Sequence, residues 1–172
     1  MEGVIAMQYT IRKMQLEDIP HVQNVAKVSW NATYEDIIPI HVQERFLKSA
    51  YNDEMMKRRY ERSFIFVAEV EGKVIGFANF SPLKENGEAE LGAIYLYPEY
   101  QGKGIGTALL KEGITFLEGV KEIYINVEKD NIIGKNFYHA KGFEVVSEFV
   151  DHFEGDELKT VRMVLLIEKA DS

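Results

Sequence analysis

The order of strand-like and helix-like segments predicts one α/β domain, more closely α+β. A mixed sheet is flanked by helices in the order β-α-α-β-β-β-α-β-α-β-β. Three observations point there. β-Branched and aromatic runs give way repeatedly to amphipathic stretches. The 172 residues, 46% hydrophobic and 28% charged, suffice for one buried core. No repeat, low-complexity tract or Pro/Gly/Ser-rich linker divides the chain. The domain is therefore read as residues 1–172, with 1–7 a ragged extension because Met7 offers a second start.

Tyr9 to Lys13 alternates and reads as the first strand. Glu17-Asp18-Ile19-Pro20 opens a helix, with acidic residues and proline where a first turn accepts them. Val22, Val25, Ala26 and Trp30 continue it at helical spacing. Ile37-Ile38-Pro39 interrupts, and a second helix is expected from Val42 to about Tyr60. Phe64 to Val70 and Val74 to Phe80 read as a hairpin across Glu71-Gly72-Lys73. Glu88 to Leu96 is a strand ended by Pro98. A helix follows from Thr107 to about Gly119, then a strand from Glu122 to Val127, then a helix from Asn131 to Lys141 stopped by Gly142. Strands Phe143 to Phe149 and Thr160 to Ile167 close the chain around a turn at Glu154 to Glu157.

Composition narrows the function. There are no cysteines, so disulfides, thiolate zinc sites and cysteine nucleophiles are excluded. The four histidines show no metal-ligand spacing, and no metal is expected. A net charge of −8 disfavours nucleic acid and would attract cationic amines, although acidity also simply keeps a protein soluble. The first residues lack a basic, then apolar, signal-peptide pattern, and no stretch reaches the roughly 20 apolar residues of a membrane span. A cytoplasmic protein with no membrane partner is expected.

The segment from Ala93 to Thr107 carries the chemistry. A strand runs into Gly102, Gly104 and Gly106 at alternate positions, and a helix follows directly. Glycines let backbone approach a ligand closely, and a helix start offers free N–H groups and a positive dipole end. Together they form a pyrophosphate cradle. A P-loop would need a lysine before Thr107, and the dinucleotide pattern G-x-G-x-x-G lacks its third glycine from either start.

Gln101-x-x-Gly104-x-Gly106 resembles the Q/R-x-x-G-x-G/A signature of the GNAT superfamily, the Gcn5-related N-acetyltransferases. Downstream, Asn131 to Phe143 resembles that family's N-x-x-A-x-x-F-Y-x-x-x-G-F, departing at Gly134, where alanine is usual. The resemblance spans roughly Phe64 to Phe143 and is nearest to the bacterial small-molecule type. It implies a GNAT-like, mostly antiparallel central sheet and acetyl-CoA as co-substrate.

The resemblance also assigns residues. The coenzyme's pyrophosphate is expected on the backbone of Gln101, Gly102, Lys103, Gly104, Ile105, Gly106 and Thr107. Its pantetheine arm is expected along the main chain of Ile94, Tyr95 and Leu96, whose side chains are otherwise core. Asn131 is expected to bond the arm, and it equally suits a helix N-cap. Asn136 is a further coenzyme candidate on the same helix. Tyr138 matches the general acid that protonates the departing thiolate, the alternative being a core aromatic beside Phe137. Glu90 is a candidate general base if burial raises its pKa, the alternative being a solvated strand carboxylate like Glu88. Trp30 and Tyr34 resemble a W-x-x-T-Y stretch that would wall an acceptor pocket, unless they only pack helices on the sheet. Tyr95 and Tyr97 would line the cleft. The acidic run Glu148, Asp151, Glu154, Asp156 and Glu157 would attract a polyamine, unless it is a solvated turn.

The expected activity is transfer of acetyl from acetyl-CoA to a primary amine of a small molecule, such as a polyamine, an amino acid or an amine-bearing toxin. The attack is direct, in a ternary complex. A protein or peptide N-acetyltransferase and a non-catalytic coenzyme A sensor are the alternatives. The resemblance leaves a homodimer open.

Overall fold

The computed structural model describes residues 7–153 and 155–168. Residues 1–6 of the expected extension and Glu154 of the expected last turn lie outside them. Seven strands are described, namely β1 (Thr10–Lys13), β2 (Phe64–Val70), β3 (Lys73–Phe80), β4 (Glu88–Leu96), β5 (Glu122–Glu128), β6 (Glu144–Phe153) and β7 (Asp156–Leu166). They form one sheet in the order β1-β2-β3-β4-β5-β7-β6. Every neighbouring pair is antiparallel except β4 with β5. The mixed, mostly antiparallel sheet flanked by helices is thus the architecture expected from the sequence.

The helices are α1 (Ile19–Tyr34), α2 (Ile40–Tyr51), α3 (Asp53–Arg62), α4 (Ile105–Phe116) and α5 (Ile132–Ala140). α1 buries Ile19, Val22, Val25, Ala26 and Trp30 at helical spacing and packs on β3 and β4. α4 buries Ile105, Leu109 and Leu110 and packs on β1 to β4. Phe66, Phe77 and Phe80 lie fully buried in the core, each contributing about 2–3 kcal/mol of apolar burial.

The single helix expected from Val42 to Tyr60 is two. Asn52 is extended (φ −68°, ψ 167°) and interrupts it. Its side chain accepts from the Met55 N–H at 2.8 Å and donates to the Lys48 carbonyl at 2.9 Å. One asparagine therefore caps α3 and binds the last turn of α2, a local competition that apolar periodicity does not register.

The last hairpin is also longer than expected. His152 pairs with Glu157 and Phe153 with Asp156, so residues read as turn belong to strands. β6 is the sheet's edge, and its residues 144–152 are all exposed. Without one buried face it has no hydrophobic alternation to read. α4 begins at Ile105 rather than Thr107 because Gly104 takes the left-handed conformation (φ 85°) and starts the helix there.

Candidate active site

The site forms where β4 and β5 part. Their parallel ladder runs only from Glu88–Glu122 to Glu90–Tyr124. On the other side of β4, Phe80 pairs with Leu91 and Asn79 with Ala93, so Gly92 is an extra, bulged residue. Such a bulge bends its strand. Beyond it, the Tyr97 N–H donates to the Ile75 carbonyl of β3 at 3.0 Å. Alternation in an antiparallel ladder then turns the main-chain groups of Tyr95 towards β3 and those of Ile94 and Leu96 towards the open edge. That edge is free to pair with an extended ligand as an added strand.

The glycine loop continues β4. Gly102 (φ 76°) and Gly104 (φ 85°) adopt conformations that L side chains rarely take, and nothing lies within 4 Å of where a Cβ would stand. Their surface is open to a close-approaching group. No side chain caps α4, so the first-turn N–H groups of Ile105, Gly106 and Thr107 keep the dipole end clear. The Ile105 side chain is core. A Cβ on Gly106 would lie 3.3 Å from the Phe137 ring, so that glycine also lets α5 approach α4. Gln101 and Lys103 are exposed beside the loop. Open loop, bare helix start and unpaired β4 edge fit a coenzyme with an extended arm and a pyrophosphate.

Four tyrosines converge at the mouth of the splay. The Trp30 indole N–H donates to the Tyr95 hydroxyl at 2.9 Å. Tyr51 and Tyr138 lie close enough to Tyr95 for ionisation of one phenol to disfavour that of the other, and Tyr34 is also within reach of Tyr138. Tyr138 packs its ring edge-on against Phe137 and Phe143, at 5.5 and 5.4 Å between centroids. Burial pushes its phenol well above the ordinary value, and Tyr95 and Tyr34 push it further. Its hydroxyl therefore stays protonated at neutral and mildly alkaline pH. Tyr34 is raised by burial too.

Trp30 stacks on Phe46 at 4.2 Å and meets Tyr34 at 4.6 Å, and both Trp30 and Tyr34 are 6% exposed. Their ring faces are occupied by packing, so the expected cation-holding wall is instead the joint between α1 and α2. Only polar ends reach the site. Tyr97 is buried, with Asn24 donating to its hydroxyl.

Asn131 caps α5, accepting from the Gly134 N–H at 2.9 Å, and its amide approaches the Tyr34 hydroxyl at 3.4 Å. A Cβ on residue 134 would lie 2.6–3.0 Å from that capping side chain, which explains glycine where the family pattern has alanine. Asn136 is exposed on α5.

Glu90 lies on the face of β4 that also carries Tyr95, the side of the sheet packed by α1. Both its oxygens accept from the Arg162 guanidinium of β7. Arg162 also donates to Asn126 at 3.0 Å and lies 4.5 Å from the Tyr124 ring. Glu90 is half-buried, and both its oxygens face the Arg162 guanidinium.

Tyr51, Arg162, Asn126, Tyr124 and Glu128 join this site without a motif to mark them. Alternation along β5 and β7 puts several on one face, but only the packed structure shows which face the helices leave open.

Known proteins place this geometry. Residues 30–143 match the acetyltransferase (GNAT) family. The chain is 39% identical over 162 residues to the uncharacterized N-acetyltransferase YuaI of Bacillus subtilis, covering 88% of this chain and 90% of that one. It is 31% identical over 147 residues to the spermidine N(1)-acetyltransferase of Thermoplasma acidophilum, covering 81% and 90%. The crystal structure of the PaiA N-acetyltransferase from Thermoplasma acidophilum in complex with coenzyme A superposes with a TM-score of 0.80 at 27% identity, covering 94% of this chain and all of that one. With its glycine loop, parted strands and converging tyrosines, the chain belongs to the acetyltransferase (GNAT) family of N-acetyltransferases.

Proposed function

We propose that this protein transfers an acetyl group from acetyl-CoA to a primary amine of a small molecule. A polyamine is the first class to try. The observation that carries the reading is the mouth of the splay, where Tyr34, Tyr95 and Tyr138 meet beside an open face lined by carboxylates. The likeness to a spermidine acetyltransferase supports it. The acceptor reaches this face while the coenzyme lies along β4, so both are held together and proximity supplies much of the rate.

Acetyl-CoA brings the activated thioester. The chain's own residues do the rest. The N–H groups of residues 102–107 hold the pyrophosphate against the positive end of α4. The main chain of Ile94 and Leu96 pairs with the arm, and Tyr95 holds its ring towards α1. Asn131 offers its amide beside the arm while capping α5. Tyr138, kept protonated by burial, gives its proton to the departing sulfur. Asn136, exposed on the same helix, stands as an outer contact. Glu90 holds Arg162 across the acceptor face, and the proton of the incoming amine needs another carboxylate.

Incubating the protein with acetyl-CoA and separate amines tests the reading. Spermidine, free amino acids, an aminoglycoside and a short peptide are compared by mass spectrometry of the acceptor. Acetylated spermidine or another small amine is the expected product. Acetylation of the peptide alone would reverse the assignment.

A further inference from the structure

We propose that Glu128, at the end of β5, is the carboxylate that receives the acceptor's ammonium group and takes its first proton, an inference that rests on the amine-acetylating reading above. Residues 122, 124, 126 and 128 alternate onto one face of β5, the face on which Tyr124 and Asn126 meet Arg162. Two of the other carboxylates on that face are engaged, and Glu88 lies at the far end of the β4–β5 ladder, opposite Glu122. Glu90 is held by Arg162, and Glu122 accepts from the Tyr124 hydroxyl at 2.7 Å. Glu128 has no ion-pair partner among the described residues.

The neighbours of Glu128 are informative. From α1, Tyr34 stands near enough for the charge of Glu128 to act on its phenol. From the turn that follows, the Asp130 N–H donates to Glu128 and the Asp130 carboxylate repels it. From β7, the opposite residue is the uncharged Thr160. Asn131 faces the same Tyr34 hydroxyl. Lys129 turns away to Glu148 at 3.3 Å. A half-buried carboxylate beside the tyrosine mouth, with a like charge nearby and no cation, calls for one from outside. Burial raises its pKa above the usual carboxylate value, which moves it towards a useful base.

The step balances simply. An N–H bond of the ammonium breaks, an O–H bond forms on Glu128, and that proton passes on to solvent. The free amine then displaces sulfur at the acetyl carbonyl, and its remaining surplus proton balances the one Tyr138 gives to the thiolate.

The test compares wild type with Glu128→Gln, Glu128→Asp and Glu118→Gln, the last an exposed carboxylate just beyond α4. With acetyl-CoA and spermidine, Glu128→Gln is expected to raise KM for the amine about tenfold or more, the loss of roughly one well-placed charge contact. Its kcat/KM profile should also lose the acid limb that protonation of Glu128 gives the wild type. Glu128→Asp should fall between, and Glu118→Gln should match wild type. Coenzyme A should still raise the melting temperature of every variant. Wild-type KM and pH profile in Glu128→Gln would overturn the inference. If wild type acetylates no amine, the functional reading fails, and the spermidine-induced thermal shift of the coenzyme A-loaded protein decides for Glu128. A shift present in wild type and lost in Glu128→Gln upholds it. An equal shift, or none in either, overturns it.

Discussion

At the scale of single residues, Gly134 shows how a departure from a motif reports geometry. Alanine in a helix interior ordinarily gains about 1 kcal/mol over glycine. Here the new Cβ would meet the Asn131 side chain within 3.0 Å and displace the cap on α5. Loss of such a cap costs about 1 kcal/mol. Gly134→Ala should therefore change the urea midpoint by little, less than about 0.5 kcal/mol in stability. A full glycine-to-alanine gain would mean the cap contributes nothing. Tyr138 and the glycine loop could be singled out as candidates from the sequence because each lies in a short motif whose chemistry is local. The partner of Glu90 was not legible, because Arg162 sits 72 residues away and meets it only across β5. Trp30 and Tyr34 were legible as aromatics at the end of α1 with two roles open, pocket wall or helix packing, and the ring contacts match the packing role.

At the scale of elements, two ties position the site. Arg12 of β1 holds Asp18 at 2.7 and 3.0 Å, and Asp18 also accepts from the Gln15 N–H at 2.7 Å. This pins the start of α1 to the sheet. The Arg12 contact, offset in part by burial, lowers the Asp18 pKa below its usual value. A depressed carboxylate contributes stability that is present above its unfolded pKa, near 4, and is lost as pH falls through the folded value. Asp18→Asn should thus cost about 1–2 kcal/mol at neutral pH, with the difference from wild type shrinking below about pH 4. Urea titrations at neutral and acid pH measure it, and a constant difference would refute the linkage. The second tie is Gly104, whose left-handed backbone turns the chain from loop into α4. Gly104→Ala meets no clash, since nothing lies within 4 Å, so its cost is the strain of that conformation, about 1–2 kcal/mol. It should also weaken the stabilisation by coenzyme A seen in thermal shift, whereas an unchanged shift would separate the loop from coenzyme binding. The elements of the sheet centre were legible from their apolar runs. The break at Asn52 and the length of the β6–β7 hairpin were not, since one rests on a side-chain cap and the other on an exposed edge.

At the scale of the whole molecule, the fold supplies a gap between parallel strands, a positive helix end on one side of it and an acidic face on the other. The net charge is −8, and the proposed function has the site's own carboxylates receive a cationic acceptor. No described helix is long and apolar enough to cross a membrane. On the proposed function, acetyl passes from acetyl-CoA to an amine with Tyr138 as the acid. The most direct measurement is thiol release from acetyl-CoA in the presence of spermidine, by wild type and by Tyr138→Phe at matched coenzyme A binding. Wild type is expected to turn over, with a kcat lower by about 10²–10⁴ in the variant. Equal turnover in both proteins would contradict it.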